Sequence, residues 1–181
     1  MALSATIFKA NLQISDMNRN YYAEHLLTLA RHPSETDERM MVRLLAFALH
    51  ADENLLFSKG LCAEEEPVLW LKNLTGEIEL WIDVGLPDEQ RLRKACSRST
   101  QVFLYIYGGR TADLWWQKNA DKLERFSNLT VIEFPDDVCK AMTGLVQRNM
   151  QVQYTVQDGE IWLSADNQTL SLTPIVRKAL G

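Results

Sequence analysis

The pattern of hydrophobic and polar residues predicts a strand at the start of the chain and a helix shortly after it. Residues 5–14 alternate between apolar and polar side chains, as a half-buried strand does. Residues 33–37 have the composition of a helix N-terminus, and apolar residues then recur at helical spacing to about residue 51. Residues 21–30 fit both a helical stripe and one face of a strand, so the pattern leaves both structures open there.

The rest of the chain alternates between strand and helix patterns. Three successive strands with short connections predict a meander, and strands alternating with helices are typical of right-handed parallel crossovers. We therefore expect an α/β protein. The predicted strands are 55–61, 68–73, 78–84, 101–107 and 129–134, the predicted helices are 87–98, 110–125 and 135–149, and a terminal hairpin joins 152–156 to 160–163.

Composition predicts one globular domain in the cytoplasm. The 181 residues are 46% hydrophobic, which is enough for a sizeable core in a chain of single-domain length. The first residues lack the features of a signal peptide, and no apolar run approaches the ~20 residues of a membrane span. Three widely spaced cysteines favour reduced thiols over disulfides. A net charge of −5 argues against a protein that coats phosphate backbones non-specifically.

The predicted strand 78–84 places two carboxylates on one face. Its apolar residues occupy alternate positions, so Glu79, Trp81 and Asp83 share the opposite face. If helices cover both faces, these carboxylates need a metal or a basic partner, because burying an unpaired ion costs several kcal/mol. The alternative, a solvated face, is equally compatible with the spacing.

Glu38 is a candidate third acid. It lies on the apolar stripe of the helix that begins near residue 37, and it could complete a cluster with Asp83. Such oxygen-rich clusters bind Mg²⁺ or Mn²⁺, which can activate water in phosphodiester hydrolysis. The alternative is that Glu38 only interacts favourably with the helix dipole near the N-terminus of this helix.

A cation near the attacked phosphate could come from the helix after Gly85. Gln90, Lys94 and Ser97 align on one side of that helix, and Lys94 is the candidate cation. A solvated lysine is the other interpretation. Zinc-protease, serine-hydrolase, nucleotide-loop and dinucleotide-loop motifs are all absent from the sequence.

The most characteristic segments of the chain are 29–36 (Leu-Ala-Arg-His-Pro-Ser-Glu-Thr), 38–41 (Glu-Arg-Met-Met), 80–83 (Leu-Trp-Ile-Asp) with Gly85, 87–89 (Pro-Asp-Glu) and 94–96 (Lys-Ala-Cys). Together they resemble the YaeQ family, and the similarity covers essentially the whole chain. The resemblance implies a compact variant of the PD-(D/E)XK nuclease fold, with a mixed β-sheet flanked by helices and with N- and C-terminal hairpins. It therefore favours a hairpin rather than a helix for residues 21–30.

By this resemblance Glu38 corresponds to the helix glutamate of the nucleases, and Asp83 to the acid of the (D/E)XK strand. Two positions depart from the nuclease pattern, since Gly85 stands where the lysine is expected and Val68 where the PD aspartate is expected. Glu79, or one of Glu64 to Glu66, could replace the missing acid. Lys94 could supply the missing charge.

The main hypothesis is a Mg²⁺- or Mn²⁺-dependent phosphodiesterase acting on nucleic acid. Its metal ligands would be Glu38, Glu79 and Asp83, and Gln90 and Lys94 would lie near the phosphate. It predicts that Glu38, Asp83 and Lys94 converge in one cleft, and that Asp83→Asn leaves the metal-free protein at least as stable. The alternatives are a non-catalytic module that binds nucleic acid or protein, and a purely structural role for the shared segments.

Overall fold

The computed structural model describes residues 4–59 and 65–180. Each described helix is too short or too polar to cross a membrane. The helices are α1 (Asp37–Leu49), α2 (Glu89–Arg98), α3 (Arg110–Leu123) and α4 (Asp136–Met142). The strands are β1 (Thr6–Asp16), β2 (Tyr21–Arg31), β3 (Leu55–Phe57), β4 (Leu69–Lys72), β5 (Ile78–Val84), β6 (Ser99–Ile106), β7 (Leu129–Glu133), β8 (Asn149–Gln157), β9 (Glu160–Ala165), β10 (Gln168–Leu172) and β11 (Ile175–Lys178).

The chain forms two compact units, each built on its own mixed sheet. The first unit contains the described residues up to Leu49 together with Asp137–Pro174, and its strands lie in the order β10-β9-β8-β1-β2. The second contains the described residues between His50 and Asp136 and those after Pro174, in the order β11-β7-β6-β5-β4-β3. The protein thus has a mixed α/β fold, and the assignment of a single domain stays a prediction.

The first unit is organised around β1. This strand pairs antiparallel with β2 along its whole length, and parallel with β8. The expected hairpin of residues 21–30 is therefore confirmed, although the local pattern also allowed a helix. Pairing with a neighbouring strand overrides such a local preference, because β1 supplies backbone hydrogen-bond partners along the whole of β2.

Helix α1 begins where the sequence predicts. The hydroxyl oxygen of Thr36 accepts a hydrogen bond from the backbone N–H of Arg39 at 3.1 Å, which satisfies one free donor of the first turn. Nine consecutive residues from Met40 to Ala48 are buried, so the helix is enclosed on all sides rather than along one stripe.

The second unit contains the predicted meander and crossovers. Strands β3, β4 and β5 pair antiparallel. Strands β5, β6 and β7 run parallel to one another, and helices α2 and α3 form the crossover connections between them. Trp81 of β5 packs in one buried cluster with Leu92 of α2, with Val102 and Leu104 of β6, and with Leu123 of α3. The face of β5 that carries Trp81 and Asp83 is therefore the face covered by α2 and α3.

Two parts of the predicted architecture differ from the structure. The predicted helix 135–149 ends at Met142. Asn149 already belongs to β8, in which buried and exposed residues alternate as they do in a strand. One mixed sheet was expected, whereas the two terminal hairpins form a second mixed sheet through the β1–β8 pairing. The predicted strand 55–61 is seen to Phe57, and its last residues lie outside the described part.

Candidate functional site

The Asp83 carboxylate is buried near the end of β5, and each oxygen accepts hydrogen bonds. Arg91 donates from Nε to Oδ2 at 2.9 Å and from Nη2 to Oδ1 at 3.0 Å. The Trp81 indole N–H adds a bond to Oδ2 at 3.0 Å, and the backbone N–H of Val68 lies 3.3 Å from Oδ1. This is the bidentate geometry that stabilises buried carboxylates.

The local sequence explains why Arg91 reaches Asp83. Gly85 has a φ of +103°, a backbone conformation that glycine adopts readily, and the chain turns there after β5. Asp88 then caps α2 by accepting a hydrogen bond from the backbone N–H of Arg91 at 2.8 Å. The Arg91 guanidinium also donates to the Glu66 carbonyl at 2.8 Å, so it joins β5 and α2 to the segment before β4.

The structure does not bring Glu79 and Asp83 together. Glu79 is exposed, whereas Asp83 is buried. The two residues are four positions apart on one strand, which is about 13 Å at the rise of a β-strand. Direct ligation of one ion by both carboxylates, at bond lengths of ~2.1 Å, would require the two side chains to reach toward each other across most of that distance.

Gln90 and Lys94 lie together in an open cleft of about 410 Å³ that Asp88 and Arg91 also line. The Lys94 ammonium lies 3.8 Å from Glu65, whose other oxygen is 2.6 Å from Arg98. The hydrogen bond and charge of Arg98 lower the pKa of Glu65. In the described part of the chain, Lys94 is thus paired with the Glu65 carboxylate. Gln90 and Lys94 give the cleft hydrogen-bond donors, and Asp88 and the neighbouring Glu65 add acceptors.

Glu38 is half-buried in the first turn of α1, in the first unit. The fully buried acid of this region is Glu35, which pairs with Arg39 at 2.5 Å and with Arg43 at 2.6 Å. Burial lowers the pKa of Arg43, and the charge of Glu35 opposes that shift. Sequence reasoning did not single out Glu35 as an ion-pair partner, although the spacing of an acid and two arginines at positions 35, 39 and 43 could have indicated the pairing.

No group of three or more histidine, cysteine or acidic side chains within residues 4–59 and 65–180 is arranged to hold a metal ion. Glu64, one of the acids considered as a replacement, lies outside the described residues. Metal ligation by Glu38, Glu79 and Asp83 stays a prediction.

Trp81, Asp83, Asp88 and Lys94 lie in the segments that carry the family resemblance, whereas Gln90 and Arg91 lie between two of those segments. Residues 1–174 match the family described as YaeQ protein. The chain belongs to the YaeQ family. It is 49% identical over 172 residues to the Uncharacterized protein YaeQ of Escherichia coli (strain K12), and 48% identical over 172 residues to that of Salmonella typhi. The E. coli comparison covers 95% of this chain and 95% of the relative.

Two solved YaeQ structures have the same fold. The crystal structure of YaeQ protein from Xanthomonas axonopodis pv. citri superposes with a TM-score of 0.94 at 52% identity, and covers 97% of this chain and 99% of its own. The crystal structure of YaeQ protein from Pseudomonas syringae gives a TM-score of 0.92 at 31% identity, with 97% of each chain covered. The mixed α/β architecture is thus that of the YaeQ family.

Proposed function

We propose that this YaeQ-family chain is a non-catalytic nucleic-acid-binding module on a PD-(D/E)XK-like core. The order of elements supports the nuclease-like core, since a helix carrying Glu38 precedes the β3–β5 meander, and α2 and β6 follow. Fold alone does not establish chemistry, so the choice between binding and cleavage rests on the site.

The engagement of Asp83 by Arg91 is the observation that carries this proposal. A metal ion bound at Asp83 would have to replace a guanidinium that already donates to both carboxylate oxygens. It would also lack a nearby second acid on the same strand, since Glu79 is about 13 Å along β5. The site therefore favours binding over metal-dependent hydrolysis.

The exposed basic side chains of α2 support an anionic ligand. Arg93, Lys94 and Arg98 are all exposed on this helix, and Lys94 lines the cleft together with Gln90. Their acidic partners, Glu65 and Glu89, form surface pairs worth little in water. A nucleic-acid backbone can compete with such pairs, because several closely spaced phosphodiester charges act on the helix together.

Binding is tested with a fluorescently labelled single-stranded oligonucleotide and its duplex, measured by anisotropy in EDTA. We expect metal-independent binding that weakens in Lys94→Ala. The matched control is Lys118→Ala, which removes an exposed lysine of α3 outside the cleft lining.

Cleavage is tested on the same oligonucleotides with Mg²⁺ and with Mn²⁺. Intact substrate after prolonged incubation is the expected result. Cleavage that Asp83→Asn abolishes would replace this proposal by metal-dependent phosphodiester hydrolysis. A protein partner in place of nucleic acid is indicated if neither oligonucleotide binds.

A further inference from the structure

A second cleft, of about 500 Å³, lies on the exposed face of the five-stranded sheet in the first unit. Its lining is dominated by side chains that carry no charge but can donate and accept hydrogen bonds. The carboxylate that the described lining includes, Asp166, accepts a hydrogen bond from Gln147 Nε2 at 2.8 Å. The uncharged polar residues of the lining are Asn11, Gln13, Asn149, Gln151, Gln153 and Ser164.

Strand pairing arranges polar side chains in a continuous row across the sheet. Glu24 lies opposite Gln13, Gln13 opposite Gln153, Gln153 opposite Ser164, and Ser164 opposite Thr169. Neighbours in this row also touch, since Gln153 Nε2 is 3.3 Å from Gln13 Oε1 and the Ser164 and Thr169 hydroxyls are 3.1 Å apart. Adjacent strands are ~4.8 Å apart, so the row offers hydrogen-bonding groups at that repeat.

The next row along the sheet carries two aromatic residues. Tyr22 lies opposite Ser15, Ser15 opposite Thr155, and Thr155 opposite Trp162. Tyr22 is 59% exposed, and Trp162 is partly exposed. Three strand spacings separate them, about 14 Å. Aromatic rings beside carboxamides offer an apolar surface for C–H groups and polar atoms for hydroxyls on the same ligand.

One buried hydrogen-bond acceptor on this face has no donor among the described residues. Asn11 donates from Nδ2 to Glu24 at 3.0 Å, while its Oδ1 is shielded from solvent and has no hydrogen-bond donor among the described residues. Gln151 lies beside it in the parallel register and is exposed. A ligand hydroxyl could donate to Oδ1, and buried acceptors without a donor are uncommon enough to require an explanation.

We propose that this face binds a neutral, hydroxyl-rich oligosaccharide. Carboxamides suit such a ligand because each has two donors and an acceptor oxygen, which match hydroxyls that also donate and accept. The predominance of uncharged side chains disfavours phosphate-bearing ligands, whose affinity depends on lysine and arginine. The site lies in the first unit and includes no residue of the cleft proposed for nucleic acid.

The test uses an array of immobilised neutral, sialylated and sulfated oligosaccharides, followed by calorimetric titration with the best neutral ligand in solution. We expect saturable binding to neutral glycans that is insensitive to salt. The double variant Gln151→Ala/Gln153→Ala should weaken it roughly tenfold or more, from the loss of two or more hydrogen bonds. Gln117→Ala, an exposed glutamine of α3, is the matched control and should leave the affinity unchanged.

Three results would overturn the proposal. The first is that no neutral glycan on the array is bound. The second is that binding is confined to sulfated or sialylated glycans and depends steeply on salt. The third is that the double variant keeps the wild-type affinity while its thermal unfolding also matches the wild type. Loss of oligonucleotide binding in Lys94→Ala with retained glycan binding would show that the two sites are independent.

Discussion

The Arg91 guanidinium contacts both oxygens of Asp83, with N···O distances of 2.9 and 3.0 Å. The Asp83 side chain is 3% exposed and that of Arg91 27%. This pair links the end of β5 to the first turns of α2. The carboxylate that resembles a nuclease metal ligand thus has the contacts of a structural residue, and its removal should act first on stability.

Asp83→Asn should lower the free energy of unfolding by about 3–5 kcal/mol, because it removes the carboxylate charge that two donors of the partly buried Arg91 guanidinium contact. Urea unfolding in EDTA measures the change. Glu79→Gln alters an exposed acid of the same strand and should stay within about 0.5 kcal/mol of the wild type. This expectation reverses the one made from a metal cluster, so an unchanged or increased stability of Asp83→Asn would restore the cluster interpretation.

The double variant Asp83→Asn/Arg91→Met tests the pair itself. Residues in direct contact should show a coupling free energy of about 0.5–3 kcal/mol in a double-mutant cycle. Additive effects of the two single substitutions would mean that Asp83 acts through Trp81 and the Val68 backbone instead.

Glu35→Gln should destabilise the first unit by a similar amount. The Glu35 side chain is 1% exposed and contacts both Arg39 and Arg43. Burial already lowers the pKa of Arg43, so removing the compensating charge leaves a desolvated cation. Thermal unfolding should show a clear fall in Tm, whereas Glu53→Gln, at an exposed acid, should not change it. Equal Tm values for the two variants would contradict this assignment.

The Cys96 thiol should react slowly with alkylating reagents in the folded protein. Burial raises its pKa to about 11, with the nearby charge of Lys178 opposing the shift. Since the thiolate is the reactive form, alkylation followed by peptide mass spectrometry should show a rate that rises with pH toward about 11. The urea-unfolded chain should show the ordinary value of ~8.5. An inflection near ~8.5 in the folded protein would contradict the buried environment.

The same shift has a consequence for stability. The folded pKa lies above the unfolded one, so the contribution of Cys96 is complete below the unfolded pKa and is lost as pH rises through the folded pKa of about 11. Cys96→Ala should therefore flatten the decline in stability above pH ~8.5.

Much of the second unit was predictable, because its elements are encoded locally. The alternation of residues 78–84 and the cap at Asp88 indicated β5 and α2 with nearly the observed limits. The first unit was harder to predict. Its central contact is the parallel pairing of β1 with β8, which joins residues about 140 positions apart and leaves no local signal.

The sequence singled out Asp83, Gln90 and Lys94, but it did not predict the contact between Asp83 and Arg91. The sequence showed that a covered Asp83 needs a metal or a basic partner, and the structure supplies Arg91. Strand spacing alone already separates Glu79 from Asp83 by about 13 Å. Which base approaches a given acid depends on how α2 packs against β5, and composition carries no information on that packing.

The most direct test of the binding proposal is the salt dependence of oligonucleotide affinity in EDTA, compared between the wild type and Lys94→Ala. Each neutralised phosphate contributes about −0.7 to −0.9 to the slope of log K against log[salt]. We predict measurable metal-free binding, with a slope that becomes shallower by about one in Lys94→Ala and stays unchanged in Lys118→Ala. Binding that appears only with Mg²⁺ or Mn²⁺ and is lost in Asp83→Asn would contradict the account.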